Sequence, residues 1–262
     1  MIDISFAHHQ SVGHNQKLSV VVSADSFLYG VFDDSGVVSE VKYYSGIDYE
    51  NPESVRKVRE DHTLQKGFDT VTVCSKQLPV LHVGEADDQL YNYFPSFAGK
   101  AVFKEKFTGV DVYSYFGLNQ HQIDLLSGMF TGFSLHHFSM VLADYYYPSD
   151  KNVLLAHFDE KWVHLFYANQ SGFRFYNAYP TGANEDVLYF ILTVYRHLNL
   201  DPLKDHLRLS GLIDKNSPLF NLLHGYIAYP EFESLSGVTM STGNTSFPDH
   251  YYFDIALTAL CV

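Results

Sequence analysis

Short apolar or alternating runs occur in two matching groups of three along the chain. The first group is Leu18 to Val22, Phe27 to Phe32 and Val37 to Tyr44; the second is Val153 to Phe158, Trp162 to Tyr167 and Phe173 to Tyr179. Side chains on a strand point alternately to opposite faces, so runs of this length and pattern predict β-strands. Asp33-Asp34-Ser35-Gly36 and Asn169-Gln170-Ser171-Gly172 lie between strands of the two groups. Asp, Asn and Ser bond nearby backbone and Gly accepts positive φ, so both stretches predict hairpin turns and antiparallel pairing. A helix follows each triplet. The first opens at Asn51-Pro52-Glu53 and is expected to run to about Leu64 on the surface. There Asn serves as N-cap, Pro occupies the first turn and Glu faces the positive end of the helix dipole. The second begins at Asn184 or Glu185, and Val187, Ile191, Val194 and Leu198 follow helical spacing, with Leu188, Leu192 and Tyr195 widening the stripe.

Between these landmarks, Thr70 to Cys74 predicts a short buried strand, and Ser75 to Lys100, with its prolines and acidic Glu85-Ala86-Asp87-Asp88, predicts turns and a short helix. Ala101 to Phe107 and Val110 to Phe116 predict strands; Asn119 caps a helix through Phe130; Phe133 to Leu135 predicts a strand and Phe138 to Tyr146 a helix. Pro148-Ser149-Asp150 is the expected domain boundary, giving units 1–150 and 151–262. Beyond it come a strand at Leu207 to Ser210, a helix from Ser217-Pro218, a strand at Phe232 to Leu235 and a loop from Gly237 to Phe247. A last helix carries Phe253, Leu257 and Leu260 and is free to pack back on the first unit.

Strand hairpins followed by helix, strand, helix and strand, occurring twice, resemble the plan of the actin-like ATPase superfamily, which includes sugar kinases and Hsp70. Leu18 to Gly36 is similar to the opening strands of that fold, and Val153 to Pro180 to its second hairpin. More narrowly, the chain resembles a bacterial domain-of-unknown-function family with an actin-like ATPase (ribonuclease H-like) fold. Actin-like pilus-assembly and type II secretion proteins are more distant likenesses. The resemblance implies an α/β chain with a duplicated fold, its two mixed sheets each opening with three antiparallel strands and flanked by helices. Active members bind ATP between their halves through a DxG[ST]-like loop, a second Asp-x-Gly loop and a GG-containing adenosine segment. Glycine there lets backbone N–H groups approach phosphate oxygens, and the aspartates hold Mg²⁺ or its water shell. The corresponding segments here are Ser23-Ala24-Asp25-Ser26-Phe27, Asp159-Glu160-Lys161-Trp162 and Ser210-Gly211-Leu212-Ile213-Asp214. Neither phosphate loop has a glycine, and the adenosine segment has one. Asp25 and Asp159 are therefore read as hairpin-turn residues. ATP with Mg²⁺, were it still bound, would engage Asp25, Ser26, Asp159 and Gly211.

Composition narrows the function classes. Lys+Arg is 17 and Asp+Glu 30, so the formal charge is 17 − 30 = −13, which repels phosphate backbones and anionic membranes; neither nucleic acid nor membrane is an expected partner. The only cysteines are Cys74 and Cys261, which give no disulfide framework and no CxxC site. With no basic leader and no bilayer-length apolar run, the expected compartment is the cytoplasm. The 14 histidines include His8-His9, His14 and His136-His137, but no HExxH or HxH spacing occurs, so they are read as structural or solvent-facing and no metal is expected. Ser54-Val55-Arg56-Lys57 matches SxxK without its companion segments. The 20 Tyr and 21 Phe favour packed strands and supply interface area. Two functions fit: a non-catalytic protein that binds another protein or itself, with no catalytic residue, or an ATP-binding enzyme or nucleotide-dependent switch.

Overall fold

A computed structural model describes residues 6–7, 16–107, 109, 111–148, 152–234, 239–240 and 248–260. In chain order the elements are β1 (Phe6–Ala7), β2 (Gln16–Val22), β3 (Ser26–Asp33), β4 (Val37–Ser45), α1 (Pro52–Arg59), β5 (Thr70–Ser75) and β6 (Val80–Val83). Two 3₁₀ turns, Leu90–Tyr93 and Pro95–Phe97, lead to β7 (Ala101–Phe107), β8 (Val112–Leu118), α2 (Gln120–Met129), β9 (Ser134–His137) and α3 (Phe138–Tyr145). Then come β10 (Val153–Phe158), β11 (Trp162–Asn169), β12 (Gly172–Pro180), α4 (Asn184–His197), β13 (Leu207–Gly211), α5 (Pro218–Tyr226), β14 (Pro230–Phe232) and β15 (Thr239–Met240). A 3₁₀ turn at Asp249–Tyr252 runs directly into α6 (Phe253–Leu260).

Two mixed sheets share one pairing scheme. The larger has the order β1-β4-β3-β2-β5-β9, with β15 also on β4, and the other has β12-β11-β10-β13-β14. In each, an antiparallel triplet is extended by parallel strands, β5 on β2 and β9 on β5 in one, β13 on β10 and β14 on β13 in the other. The turn residues act as their chemistry requires. Asp33 Oδ1 accepts from Ser35 N and Val37 N, both at 2.9 Å, and Gly36 takes φ +75°. Asn169 Oδ1 accepts from Ser171 N at 2.9 Å, and Gly172 takes φ +91°. Helix starts are capped too: Asn51 accepts from Glu53 N, Asn119 forms a capping box with Gln122, and Ser217 Oγ accepts from Phe220 N.

Four details depart from the sequence reading. Val80–Val83 is a strand and joins β8 and β7 in a third, antiparallel sheet of three strands. The strand expected at Phe232 to Leu235 lies at Pro230–Phe232, and the one expected from Val110 runs Val112–Leu118. Helix α1 stops at Arg59 because Asp61 turns inward to serve a polar network. There Asp61 accepts from Lys42 Nζ at 2.7 Å, Tyr44 OH at 2.5 Å and Thr63 N at 2.8 Å, while Glu40 accepts from Tyr29 OH at 2.6 Å. Burial alone would raise the Asp61 carboxyl pKa, but the Lys42, Tyr44 and Thr63 donors outweigh it and hold it below its ordinary value. Of the sequence features singled out, His8, His9, His14, Ser149, Asp150, Cys261 and most of the 237–247 loop lie outside the described residues.

The chain divides into two compact units. One takes Met1–Asp144, Ser236–Ser246 and Ile255–Val262; the other takes Tyr145–Leu235 and Phe247–Asp254. The first has a core around Val20, Phe27, Tyr29, Val58, Val73, Phe116 and Leu126. In the second, Leu154, Ala156 and Phe158 of β10 pack with Val163, Leu165, Leu207 and Leu209 against Ile191 and Val194 of α4 and Leu223 of α5. No helix among the described residues is long and apolar enough to cross a membrane.

Candidate functional site

Because β10 gives its even-numbered side chains to that core, His157 faces the other way. Register carries the same face across the sheet, with His164 of β11 and Ser210 of β13 both opposite His157. The result is a buried polar row. His157 Nδ1 lies 3.0 Å from Ser210 Oγ, and His164 Nδ1 lies 2.8 Å from the Tyr176 hydroxyl of β12. Asp159, just past the end of β10, places Oδ2 at 3.1 Å from His164 Nε2 and Oδ1 at 3.5 Å from His157 Nε2. Asp254, in the first turn of α6, sets Oδ2 at 3.5 Å from the same Nε2. His157 and His164 are each 1% exposed and Asp254 3%, while the Asp159 side chain, at 13%, is half-buried at the edge of the group.

The four residues singled out for nucleotide contact fall into two groups. Asp159 and Gly211 lie at the ends of neighbouring strands in the unit that holds the histidines. Gly211 has φ +76°, and a Cβ there would lie 2.2 Å from Phe158 O, so strand packing alone requires glycine. Asp25 and Ser26 belong to the other unit, in the β2–β3 turn. That turn is closed by its own chain: Ser23 N donates to Ser26 O at 3.1 Å, and the Ser23 and Ser26 hydroxyls bond each other. Ile47 N donates to Asp25 O at 2.7 Å, Tyr49 OH to Ser26 O at 2.6 Å and Gln122 Nε2 to Ser23 O at 3.0 Å. The Asp159 turn is likewise closed, by Asp159 N donating to Trp162 O at 2.8 Å.

Sequence reasoning passed over His157, His164 and Asp254. One signal for them was present: His157-Phe158-Asp159 puts two ligand-type side chains two residues apart where strand β10 ends. Asp254 carried no such signal.

A cavity of about 840 Å³ opens where the Ser210–Asp214 segment leaves the sheet, lined by Asp214, Lys215, Ser217, Phe232 and His250 among others. The His250 ring stacks on Phe232 with centroids 4.2 Å apart, and its Nε2–H donates to Ile213 O over 2.8 Å. Burial lowers the pKa of its imidazole, which favours the neutral ring.

With this geometry in view, the family model for a protein of unknown function, DUF3822, matches residues 8–229. The chain belongs to the DUF3822 family. A solved structure from Bacteroides thetaiotaomicron VPI-5482, described as a protein with actin-like ATPase fold and unknown function, is similar at TM-score 0.70 and 15% identity, over 84% of this chain and 91% of that one. A chain of the PilM–PilN type IV pilus biogenesis complex is similar at TM-score 0.61 and 11% identity, over 94% and 98%. The ethanolamine utilization protein EutJ from Carboxydothermus hydrogenoformans reaches TM-score 0.50 at 11% identity, over 95% and 90%. Among curated proteins no sequence matches. At these identities the likeness establishes the fold: this DUF3822 chain has an actin-like ATPase fold.

Proposed function

We propose that this chain is a non-hydrolysing member of the actin-like fold that acts by binding another protein or a second copy of itself. The observation that carries the reading is the closure of both hairpin turns by the chain's own groups. Triphosphate binding in a loop needs backbone N–H groups turned toward the ligand and small residues that let it approach. In the β2–β3 turn the Ser26 hydroxyl is engaged by Ser23, and the turn carbonyls are held by Ile47, Tyr49 and Gln122. In the second turn the Asp159 carboxylate faces two imidazoles rather than an open loop. A related fold occurs in a chain of a complex named PilM–PilN, and recognition of a protein partner is the behaviour we carry over from that name.

The cavity beside Asp214 and Lys215 favours a second reading, in which a nucleotide base enters next to Phe232 and the phosphates lie elsewhere. Calorimetry and thermal shift with ATP and Mg²⁺ separate the two. The scaffold reading expects no stabilisation, whereas ligand at one hundred times its Kd would add about 2.7 kcal/mol. Micromolar ATP binding that disappears in Asp25→Ala or Asp159→Ala would overturn the first reading. Light scattering on the purified chain then tests self-association.

A further inference from the structure

We propose that His157, Asp159 and Asp254 form a binding site for a first-row divalent metal ion, with zinc as the best match. Among the described residues this is the one group of three ligand-type side chains whose donor atoms all lie within 4.8 Å of one another. The separations decide between two uses of such a cluster. A charge-assisted hydrogen bond from an imidazolium to a carboxylate is short, about 2.7–2.9 Å. Here the His157 Nε2 atom stands 3.5 Å from Asp159 Oδ1 and 3.5 Å from Asp254 Oδ2. A single N–H also cannot point straight at two acceptors. Ligands around a tetrahedral zinc ion, at bond lengths of about 2.1 Å, stand about 3.4 Å apart. Octahedral magnesium at similar bond lengths would draw its ligands to about 3.0 Å and favours oxygen alone.

The surroundings fit the same use. His157 presents Nε2 to the site while Nδ1 bonds the Ser210 hydroxyl at 3.0 Å, which fixes the ring as outer partners of metal-bound histidines do. His164 Nε2 meets the second oxygen of Asp159 at 3.1 Å and is itself oriented by the Tyr176 hydroxyl at 2.8 Å. Two carboxylates neutralise a doubly charged ion, which offsets the cost of burying them together. The set provides three protein ligands and leaves the fourth tetrahedral position for water or a group from a partner. The site is independent of the protein-binding reading, since zinc can bind here whether or not a partner does.

The test uses the untagged full chain, stripped by chelator and dialysed. Zinc is titrated against a competing chelating dye, and cobalt is added separately while the visible spectrum is recorded. The expected result is one equivalent of zinc, a rise in melting temperature, and the strong visible absorption of tetrahedral cobalt. Asp254→Asn and Asp159→Asn should weaken zinc by more than about 100-fold, since even outer partners cost about 10–100-fold; Ser210→Ala should fall within that outer range. Far-UV circular dichroism checks the fold of each variant, and the wild-type cobalt spectrum stands whether or not they fold. No stoichiometric zinc binding, an octahedral cobalt spectrum, or unchanged affinity in a folded Asp254→Asn variant overturns the proposal.

Discussion

Replacing Gly211 by alanine asks whether that glycine serves the packing of the sheet or a lost ligand. Two costs follow from its place at the end of β13. Its φ of +76° lies in the left-handed region, where a Cβ costs about 1–2 kcal/mol. The new Cβ would also stand 2.2 Å from Phe158 O and 2.9 Å from Phe158 N, both backbone atoms that can move only by opening the β10–β13 pairing. That same Phe158 O accepts from Leu212 N at 2.8 Å, so the bond is lost or stretched as the strands part. Overpacking of this kind costs about 1–3 kcal/mol, for a total near 2–5 kcal/mol. Two controls isolate the terms. Gly46 has φ +67° with nothing within 4 Å of an added Cβ, so Gly46→Ala should lose only the backbone cost of about 1–2 kcal/mol. Gly225 in α5 has open space and no positive φ, so Gly225→Ala should gain about 0.5–1 kcal/mol. Urea unfolding followed by far-UV circular dichroism gives all three values. Fluorescence of the single tryptophan, Trp162, reports the unit that contains Gly211. Equal losses for Gly211→Ala and Gly46→Ala would refute the steric account and return Gly211 to a ligand-facing role.

Asp61→Asn should cost about 2–4 kcal/mol near neutral pH in a urea titration, because Lys42 and the Tyr29 and Tyr44 hydroxyls lose a charged acceptor. Asp61 has a folded pKa held below its unfolded value of 3.8, so its contribution is present above that value and is lost as pH falls through the lower folded one. The variant should therefore show a shallower acid limb, and an unchanged limb would count against the network. His82, half-buried beside Ser139 with its Nε2 at 2.7 Å from the Ser139 hydroxyl, has a pKa lowered from 6.5 to about 4 by desolvation. Between those two values the unfolded chain takes up a proton that the folded chain refuses, so stability should fall as pH drops through this window. His82→Gln should flatten that part of the stability profile, and a profile as steep as wild type would contradict it. Tyr49→Phe removes the donor to Ser26 O and should cost about 1–2 kcal/mol in urea unfolding. If it instead leaves stability unchanged, the β2–β3 turn is not held in the way described.

Legibility in the sequence followed the range of the interactions. Hairpins were readable because their information is local: Asp33 bonds the backbone two and four residues on, and Asn169 two residues on. Helix α2 was readable for the same reason, through the Asn119 and Gln122 capping box. Strand β6 was not. Val80-Leu81-His82-Val83 is short, half-buried throughout and framed by turn residues, and its strand character comes from Tyr113 to Phe116 of β8. The end of α1 was set by Asp61 reaching Lys42 and Tyr44 on β4, a pairing that helix patterns do not encode. The histidine and aspartate cluster combines both cases. His157 and Asp159 are near neighbours on the chain, whereas Asp254 arrives from α6 by tertiary folding.

The way the two units divide the chain has a consequence for its synthesis. A ribosome delivers Met1–Asp144 first, yet Ile255–Val262 belongs to the same unit and is made only after the whole of the other. A Cβ on Gly30 would lie 3.0 Å from Ile255 Cγ1, and Ala256, Leu257 and Thr258 are wholly buried. Nascent chains therefore carry an unfinished N-terminal half until that segment emerges, and its exposed apolar surface is the kind that chaperones shield.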